Sequence, residues 1–95
     1  MSIDDLRKEI DALDSRIVEL LNERAEVAKK IGVVKRQNNL PIHDSGREKE
    51  VYSRILAQNK GPLPNESLEA IYREIIAGSR NLEKPIKVSY LGPEG

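Results

Sequence analysis

Aliphatic side chains recur at alternating steps of three and four residues through the first part of the chain. This heptad pattern is typical of a long helix that packs along another helix. The segment contains no proline, and Gly32 is its one glycine. The pattern therefore predicts an unbroken helix over residues 3–38, about 54 Å long. We call its apolar stripe the heptad seam, which is formed by Ile3, Leu6, Ile10, Leu13, Ile17, Leu20, Val27, Ile31 and Val34.

Two shorter helices are predicted in the rest of the chain. Ser2 is expected to cap the first helix, and Pro41 prevents that helix from continuing. Asp44 is expected to cap a second helix that ends near Asn59. Asn65 is expected to cap a third helix, after a run rich in proline and glycine. The apolar stripe of this third helix consists of Leu68, Ile71, Tyr72, Ile75, Ile76 and Leu82, with Ser79 at a polar position within it.

The chain changes character after Pro85, which is predicted to end the third helix. Residues 86–91 alternate apolar and polar side chains, and a Gly-Pro-Glu-Gly turn follows, so one β-strand is predicted. A lone strand has no neighbour with which to pair. We therefore predict an all-α domain over residues 1–84. Residues 85–95 are predicted to be a linker and a stray first strand of a second domain that the chain does not include.

A chain of 95 residues forms one small domain, or one domain and a short piece of the next. Such a chain cannot cover a first helix of this length by itself. We therefore expect a second copy of the chain to bury the heptad seam in a homodimer.

Charge and composition exclude several classes of function. Sixteen Lys and Arg residues balance 16 Asp and Glu residues, so no net basic field favours nucleic acid. The absence of cysteine excludes disulfides and thiolate metal sites. No apolar run reaches the roughly 18 residues of a membrane span, and the acidic N-terminus lacks the apolar core of a signal peptide. We expect a cytoplasmic protein that binds neither nucleic acid nor membrane.

Arg24 interrupts the heptad seam between Leu20 and Val27. A guanidinium at an apolar position needs an anionic partner, because desolvation of its charge is costly. Lys35 returns to the same helix face about three turns later, so the two side chains can converge on a small anion. The alternatives are an ion pair of Arg24 with a glutamate, a snorkelling Arg24 stem, and a solvated Lys35.

Arg7 lies about 25 Å from Arg24 along the same helix and cannot reach the same small ligand. The Arg7 of an antiparallel partner chain could reach it. The alternative is a surface arginine that pairs with Glu9 or Asp11.

The remaining candidates lie on the second and third helices. Asp44, Arg47 and Glu48 crowd the first turn of the second helix, where capping and a solvated ion pair are the alternative interpretation. Ser79 and Glu83 share one face of the third helix, and the alternative is that this helix is leaving the core. The single histidine has no His or Cys companion, so no metal site is predicted.

In order and spacing, these residues resemble the all-helical chorismate mutases over residues 2–84. The matching motifs are LRKEIDALD at 6–14, LLNER at 20–24, IGVVK at 31–35, PIHD at 41–44, Arg47-Glu48, and Ser79 with Glu83. The tail VSYLGPEG at 88–95 resembles the opening of a prephenate dehydratase domain. Mutase followed by dehydratase is the order in the bifunctional enzymes of phenylalanine biosynthesis. The chain thus resembles the mutase part of such an enzyme, ending just inside the second domain.

The resemblance implies an intertwined helical homodimer with two active sites. It implies an isomerase that converts chorismate to prephenate by a [3,3] Claisen-type rearrangement, in phenylalanine and tyrosine biosynthesis. This reaction needs no cofactor, metal or nucleophile. It needs a dianion held in a compact conformation, and stabilisation of the negative charge that develops on the breaking ether oxygen.

The family's pattern also implies roles for the cationic residues. Arg24 and the partner's Arg7 would bind the two substrate carboxylates, because a guanidinium pairs with a carboxylate through two hydrogen bonds. Lys35 would donate to the ether oxygen and help to hold a carboxylate. Ser79 would contact a carboxylate.

The same pattern implies that Glu48 accepts a hydrogen bond from the substrate hydroxyl, with Asp44 beside it. Arg47 would orient these acids or lie near the rim of the site. Glu83 stands where many relatives have a glutamine that donates to the ether oxygen. Since an ionised carboxylate can only accept, we predict that Glu83 acts in its protonated form. Burial among apolar side chains would favour that form, and the nearby cations would oppose it.

Two other functions stay open on the sequence alone. Isochorismate-pyruvate lyases share the helical architecture and a similar cationic site, although the dehydratase-like tail argues against them. A non-catalytic dimerisation or regulatory module also fits the heptad seam. Such a module would gain stability from a leucine in place of Arg24, which argues against this interpretation.

Overall fold

The protein is described by a computed structural model over residues 1–84, and this part of the chain is all-α. It contains three helices, α1 (Ile3–Gln37), α2 (Ser45–Gln58) and α3 (Asn65–Glu83). The prediction of an all-α fold with one very long first helix is confirmed. The strand predicted at residues 86–91 lies outside the described residues.

Two of the three predicted N-caps are present. The Ser2 hydroxyl accepts a hydrogen bond from the Asp5 amide at 3.1 Å, and the Asp44 carboxylate accepts one from the Arg47 amide at 3.0 Å. The third prediction is wrong by one residue, because α3 begins at Asn65 and its N-cap is Pro64. The Asn65 side chain instead accepts a hydrogen bond from the Asn59 amide group at 2.6 Å, which ties the start of α3 to the end of α2.

Helix α3 is the central element of the chain, because it packs against both α1 and α2. Its Ile76 forms the core between α2 and α3 with Val51 and Ile55, and four residues partly cover that core: Tyr52, Leu56, Leu68 and Tyr72. Helix α1 is buried at Ala28 and Gly32. These two small residues let α1 approach α3 closely.

The heptad seam is exposed in the single chain. Ile10 is 56% exposed and Leu20 is 59% exposed, although both are aliphatic. Residues 1–84 of a single chain therefore leave these side chains without an apolar surface to cover them. Within residues 1–84, no helix combines the length and the apolar character that a membrane crossing requires.

Candidate active site

A cavity of about 440 Å³ lies between α1, the start of α2 and the C-terminal half of α3. Val27, Ile31, Val51 and Ile76 supply its apolar wall. Seven of the eight residues predicted as site residues also line it: Arg24, Lys35, Asp44, Arg47, Glu48, Ser79 and Glu83. The fold thus brings together candidates from three separate helices.

Lys35 and Glu83 meet at one end of the cavity. Lys35 Nζ lies 2.6 Å from Glu83 Oε1, and their side chains are 18% and 12% exposed. Lys35 Nζ also donates to the Ile42 carbonyl at 2.8 Å, which ties the linker before α2 to α1. The Arg36 guanidinium donates to the Glu83 main-chain carbonyl. The side chain and the backbone of Glu83 are therefore both held by the last turn of α1.

Arg24 is held by a neutral group. Its Nη1 donates to Ser79 Oγ at 2.6 Å, and Ser79 Oγ donates in turn to the Ile75 carbonyl at 2.9 Å. The alternative interpretation, an ion pair of Arg24 with a glutamate, is absent from the described residues. Within residues 1–84, no carboxylate neutralises the Arg24 guanidinium, which leaves it suited to an anionic ligand.

Glu48 makes an ion pair that sequence reasoning missed. Arg80 Nε and Nη2 donate to the two Glu48 carboxylate oxygens at 2.9 and 3.1 Å. Helical spacing could have identified Arg80 as a site residue, because it follows the buried Ile76 by one helical turn and so shares its face. Arg54 also lines the cavity and was likewise missed.

Asp44 and Arg47 lie at the mouth of the cavity. The Arg47 guanidinium points to Glu50, with Nη1 3.5 Å from Glu50 Oε1, and its side chain is 56% exposed. The placement of Arg47 near the rim of the site stays a prediction. The orientation of Glu48 comes from Arg80.

Arg7 is the one predicted site residue that the fold of a single chain does not bring to the cavity. It lies on the exposed N-terminal part of α1. As expected from helix geometry, it is about 25 Å along the helix from Arg24.

The cavity is predominantly cationic. Its lining includes five cationic side chains, of Arg24, Lys35, Arg47, Arg54 and Arg80, and three acidic ones, of Asp44, Glu48 and Glu83. An excess of positive charge in a partly enclosed space favours a small anionic ligand. Among the described residues, no cluster of His, Cys, Asp and Glu side chains could hold a metal ion.

The chain is similar to known proteins in both sequence and fold. The sequence profile of the family described as chorismate mutase type II matches residues 6–84. The bifunctional chorismate mutase/prephenate dehydratase of Aquifex aeolicus is 54% identical over 94 residues. The match covers 95% of this chain and 26% of that protein, so the chain spans a minor part of the relative's length.

Solved structures with the same fold include two chorismate mutases. Form II of the Thermus thermophilus enzyme superposes with a TM-score of 0.83 at 37% identity, over 85% of this chain and 92% of that one. The Helicobacter pylori chorismate mutase in complex with prephenate has a TM-score of 0.77 at 36% identity. This second match covers 85% of this chain and 88% of that one.

Proposed function

The chain belongs to the type II chorismate mutase family, and from that premise we propose that it catalyses the rearrangement of chorismate to prephenate. The observation that carries the proposal is the convergence of Arg24 and Lys35 on one cationic cavity. Chorismate is a small dianion, which suits the charge and the volume of this cavity.

The rearrangement is intramolecular, so the site must fold the substrate and stabilise charge. A cavity walled by Val27, Ile31 and Val51 restricts the substrate to compact conformations and excludes water. Fixed cationic donors then stabilise the charge that develops on the ether oxygen, with little reorganisation.

Arg24 is assigned to one substrate carboxylate. Its contact with the neutral Ser79 hydroxyl orients the guanidinium without neutralising it. Ser79 would donate to the same carboxylate once its hydroxyl turns away from the Ile75 carbonyl. A guanidinium offers two parallel donors to a carboxylate, which fixes the orientation as well as the affinity.

Lys35 and Glu83 are assigned to the ether oxygen. Lys35 would donate to this oxygen, and Glu83 would donate as well if it is protonated in the substrate complex. The contact of 2.6 Å between them supports this assignment, because two side chains in contact can bind the same substrate atom. The bound substrate would come between these two side chains, and its ether oxygen would accept a hydrogen bond from the Lys35 ammonium.

Glu48 is assigned to the substrate hydroxyl. It lies in the first turn of α2, and its side chain is 20% exposed. A carboxylate held by a guanidinium remains an acceptor, which matches a hydroxyl donor. Asp44 lies beside it at the N-terminus of α2, and Arg47 is assigned to the rim of the site.

The second carboxylate is assigned to the partner's Arg7 in a homodimer. The exposed heptad seam supports this assignment, since a second copy of α1 would bury it. In an antiparallel arrangement of the two seams, the N-terminal part of one α1 would lie beside the Arg24 of the other. Each site would then be completed by both chains.

Residues 85–95 are proposed to open a dehydratase-like domain, with the mutase domain confined to residues 1–84. The bifunctional name of the Aquifex aeolicus relative supports this division. A chain ending at residue 84 should retain the dimer and the full rate of chorismate turnover. A loss of turnover would place part of the mutase site in the tail.

The test of the proposed function is an assay of chorismate loss by absorbance, with identification of the product. Prephenate should form, and Arg24→Ala should abolish its formation. Arg73→Ala, which removes an exposed arginine of α3, is the matched control and should turn over normally. Release of pyruvate from isochorismate would indicate a lyase instead. Absence of turnover in a confirmed dimer would indicate a non-catalytic module.

A further inference from the structure

We propose that Arg80 is a positioning residue, which acts by holding Glu48 as an oriented, ionised acceptor for the ring hydroxyl of the substrate. The inference rests on the proposed function, because it assigns the Glu48 carboxylate to a substrate hydroxyl. It extends that function to Arg80, a residue to which the family resemblance assigned no role.

The Arg80 guanidinium binds the Glu48 carboxylate in a bidentate arrangement. Two nitrogens of one guanidinium donate to two oxygens of one carboxylate, at 2.9 and 3.1 Å. This arrangement fixes the plane of the carboxylate as well as its distance from α3. A carboxylate has about four lone-pair sites, so about two remain free to accept from a ligand.

The pair also joins two of the helices that line the cavity. Glu48 belongs to the first turn of α2, whereas Arg80 belongs to α3. Helices α1 and α2 are each packed against α3. The Arg80–Glu48 pair therefore sets where the first turn of α2 stands relative to Ser79 and Glu83, the α3 residues assigned to the substrate.

Other charged groups near Glu48 hold it less firmly. His43 Nε2 lies 3.6 Å from Glu48 Oε1, too far for a hydrogen bond, and the His43 side chain is 60% exposed. Arg47 points towards Glu50. Within residues 1–84, Arg80 is the one side chain that donates hydrogen bonds to the Glu48 carboxylate.

The consequence is selectivity for a hydroxyl-bearing ligand. A site that holds an acceptor in place for a hydroxyl disfavours an analogue without it, because the acceptor is then left unpaired. Without Arg80, the Glu48 carboxylate would be free to turn towards the other cations of the cavity. It would then be lost to the substrate, and would neutralise charge that Arg24 and Lys35 direct at the dianion.

A double-mutant cycle tests whether Arg80 acts through Glu48. Arg80→Ala should lower kcat/KM for chorismate by about tenfold to a hundredfold, the range of a charged hydrogen-bonded contact. In a Glu48→Gln background the same change should cost less than about twofold, because the group that Arg80 positions is already altered. Arg80→Lys should retain more of the rate than Arg80→Ala, since lysine keeps the positive charge but cannot form the bidentate contact. Arg73→Ala is the control in both backgrounds.

The outcomes separate this inference from the proposed function. Failure of the unmodified chain to convert chorismate would refute the proposed function itself. Normal conversion with equal losses from Arg80→Ala in both backgrounds would overturn the inference, because Arg80 would then contact the substrate directly or act on the fold as a whole.

A further readout is the ratio of rates for chorismate and an analogue without the ring hydroxyl. Arg80→Ala should reduce this ratio, whereas a structural defect would lower both rates alike.

The contact can also be tested without turnover. Carbon-13 NMR of the side-chain carboxyl groups should show the Glu48 resonance displaced by Arg80→Ala and unmoved by Arg73→Ala. An unmoved Glu48 resonance in Arg80→Ala would show that the pair does not form in solution and would overturn the inference.

Discussion

A Cβ atom added to Gly32 of α1 would lie 2.6 Å from both the Cα and the carbonyl oxygen of Glu83 in α3. Cβ atoms do not approach backbone atoms so closely, so the two helices contact each other at this point only because Gly32 has no side chain. The same region of α1 supplies the Arg36 donor to the Glu83 carbonyl. Gly32 thereby decides how near Glu83 stands to Lys35.

Gly32→Ala is therefore predicted to lower both the melting temperature and kcat. Helix propensity alone predicts the opposite sign for stability, since alanine favours a helix interior by about 1 kcal/mol over glycine. The contact with Glu83 should outweigh this gain, because backbone atoms of α3 must move. Thermal unfolding by circular dichroism and the chorismate assay measure the two effects.

Gly78→Ala is the matched control for this prediction. Gly78 is also helical, and no atom of residues 1–84 outside its own stretch of helix lies within 4 Å of an added Cβ. It should show the gain that propensity predicts, or no change. A Gly32→Ala protein as stable and active as the unmodified chain would contradict the importance of the close contact.

Glu83→Gln is predicted to change the pH dependence of the mutase rate. If Glu83 donates to the ether oxygen, it does so only while protonated, so the rate of the unmodified chain should fall as pH rises. Glutamine donates at every pH, and the fall should disappear. The measurement is kcat against pH for both proteins, with the exposed Glu66→Gln as control. Identical profiles for the unmodified and Glu83→Gln proteins would refute the protonated role.

Arg24→Leu is predicted to raise the melting temperature of the protein and to lower its mutase rate. Leucine would continue the heptad seam and remove a charge from an apolar stripe, so the dimer should melt at a higher temperature. The rate should fall by at least about a hundredfold, because a preorganised cationic donor to the substrate is lost. A stabilised protein with an undiminished rate would show that Arg24 takes no part in the reaction.

Mixing of inactive variants tests the proposed sharing of Arg7 between chains. Arg7→Ala and Arg24→Ala homodimers should each be inactive. After joint unfolding and refolding, half of the dimers should be mixed, and each mixed dimer should carry one intact site. Activity should recover to about a quarter of the unmodified value, by the statistics of a two-fold dimer. No recovery is expected if Arg7 acts in its own chain. If Arg7 has no role, the Arg7→Ala homodimer should itself remain active.

Local periodicity was sufficient to predict the helices. The bounds of α1 and α2 follow from aliphatic spacing, the Ser2 and Asp44 caps and the position of Pro41, all of which act within a few residues. Arg24 and Lys35 could be paired for the same reason, because both lie on one helix and its pitch sets their relation. The start of α3 was misjudged, because the Asn65 side chain binds Asn59 rather than its own helix.

The amino-acid sequence by itself thus determined the three helices and their apolar faces. It also identified most of the charged residues that line the cavity. Tertiary structure alone decided that Arg80 holds Glu48, that Ser79 holds Arg24, and that Gly32 meets Glu83. These contacts depend on how α3 crosses α1 and α2. That crossing is set by the packing of side chains distant in sequence, to which no local pattern is sensitive.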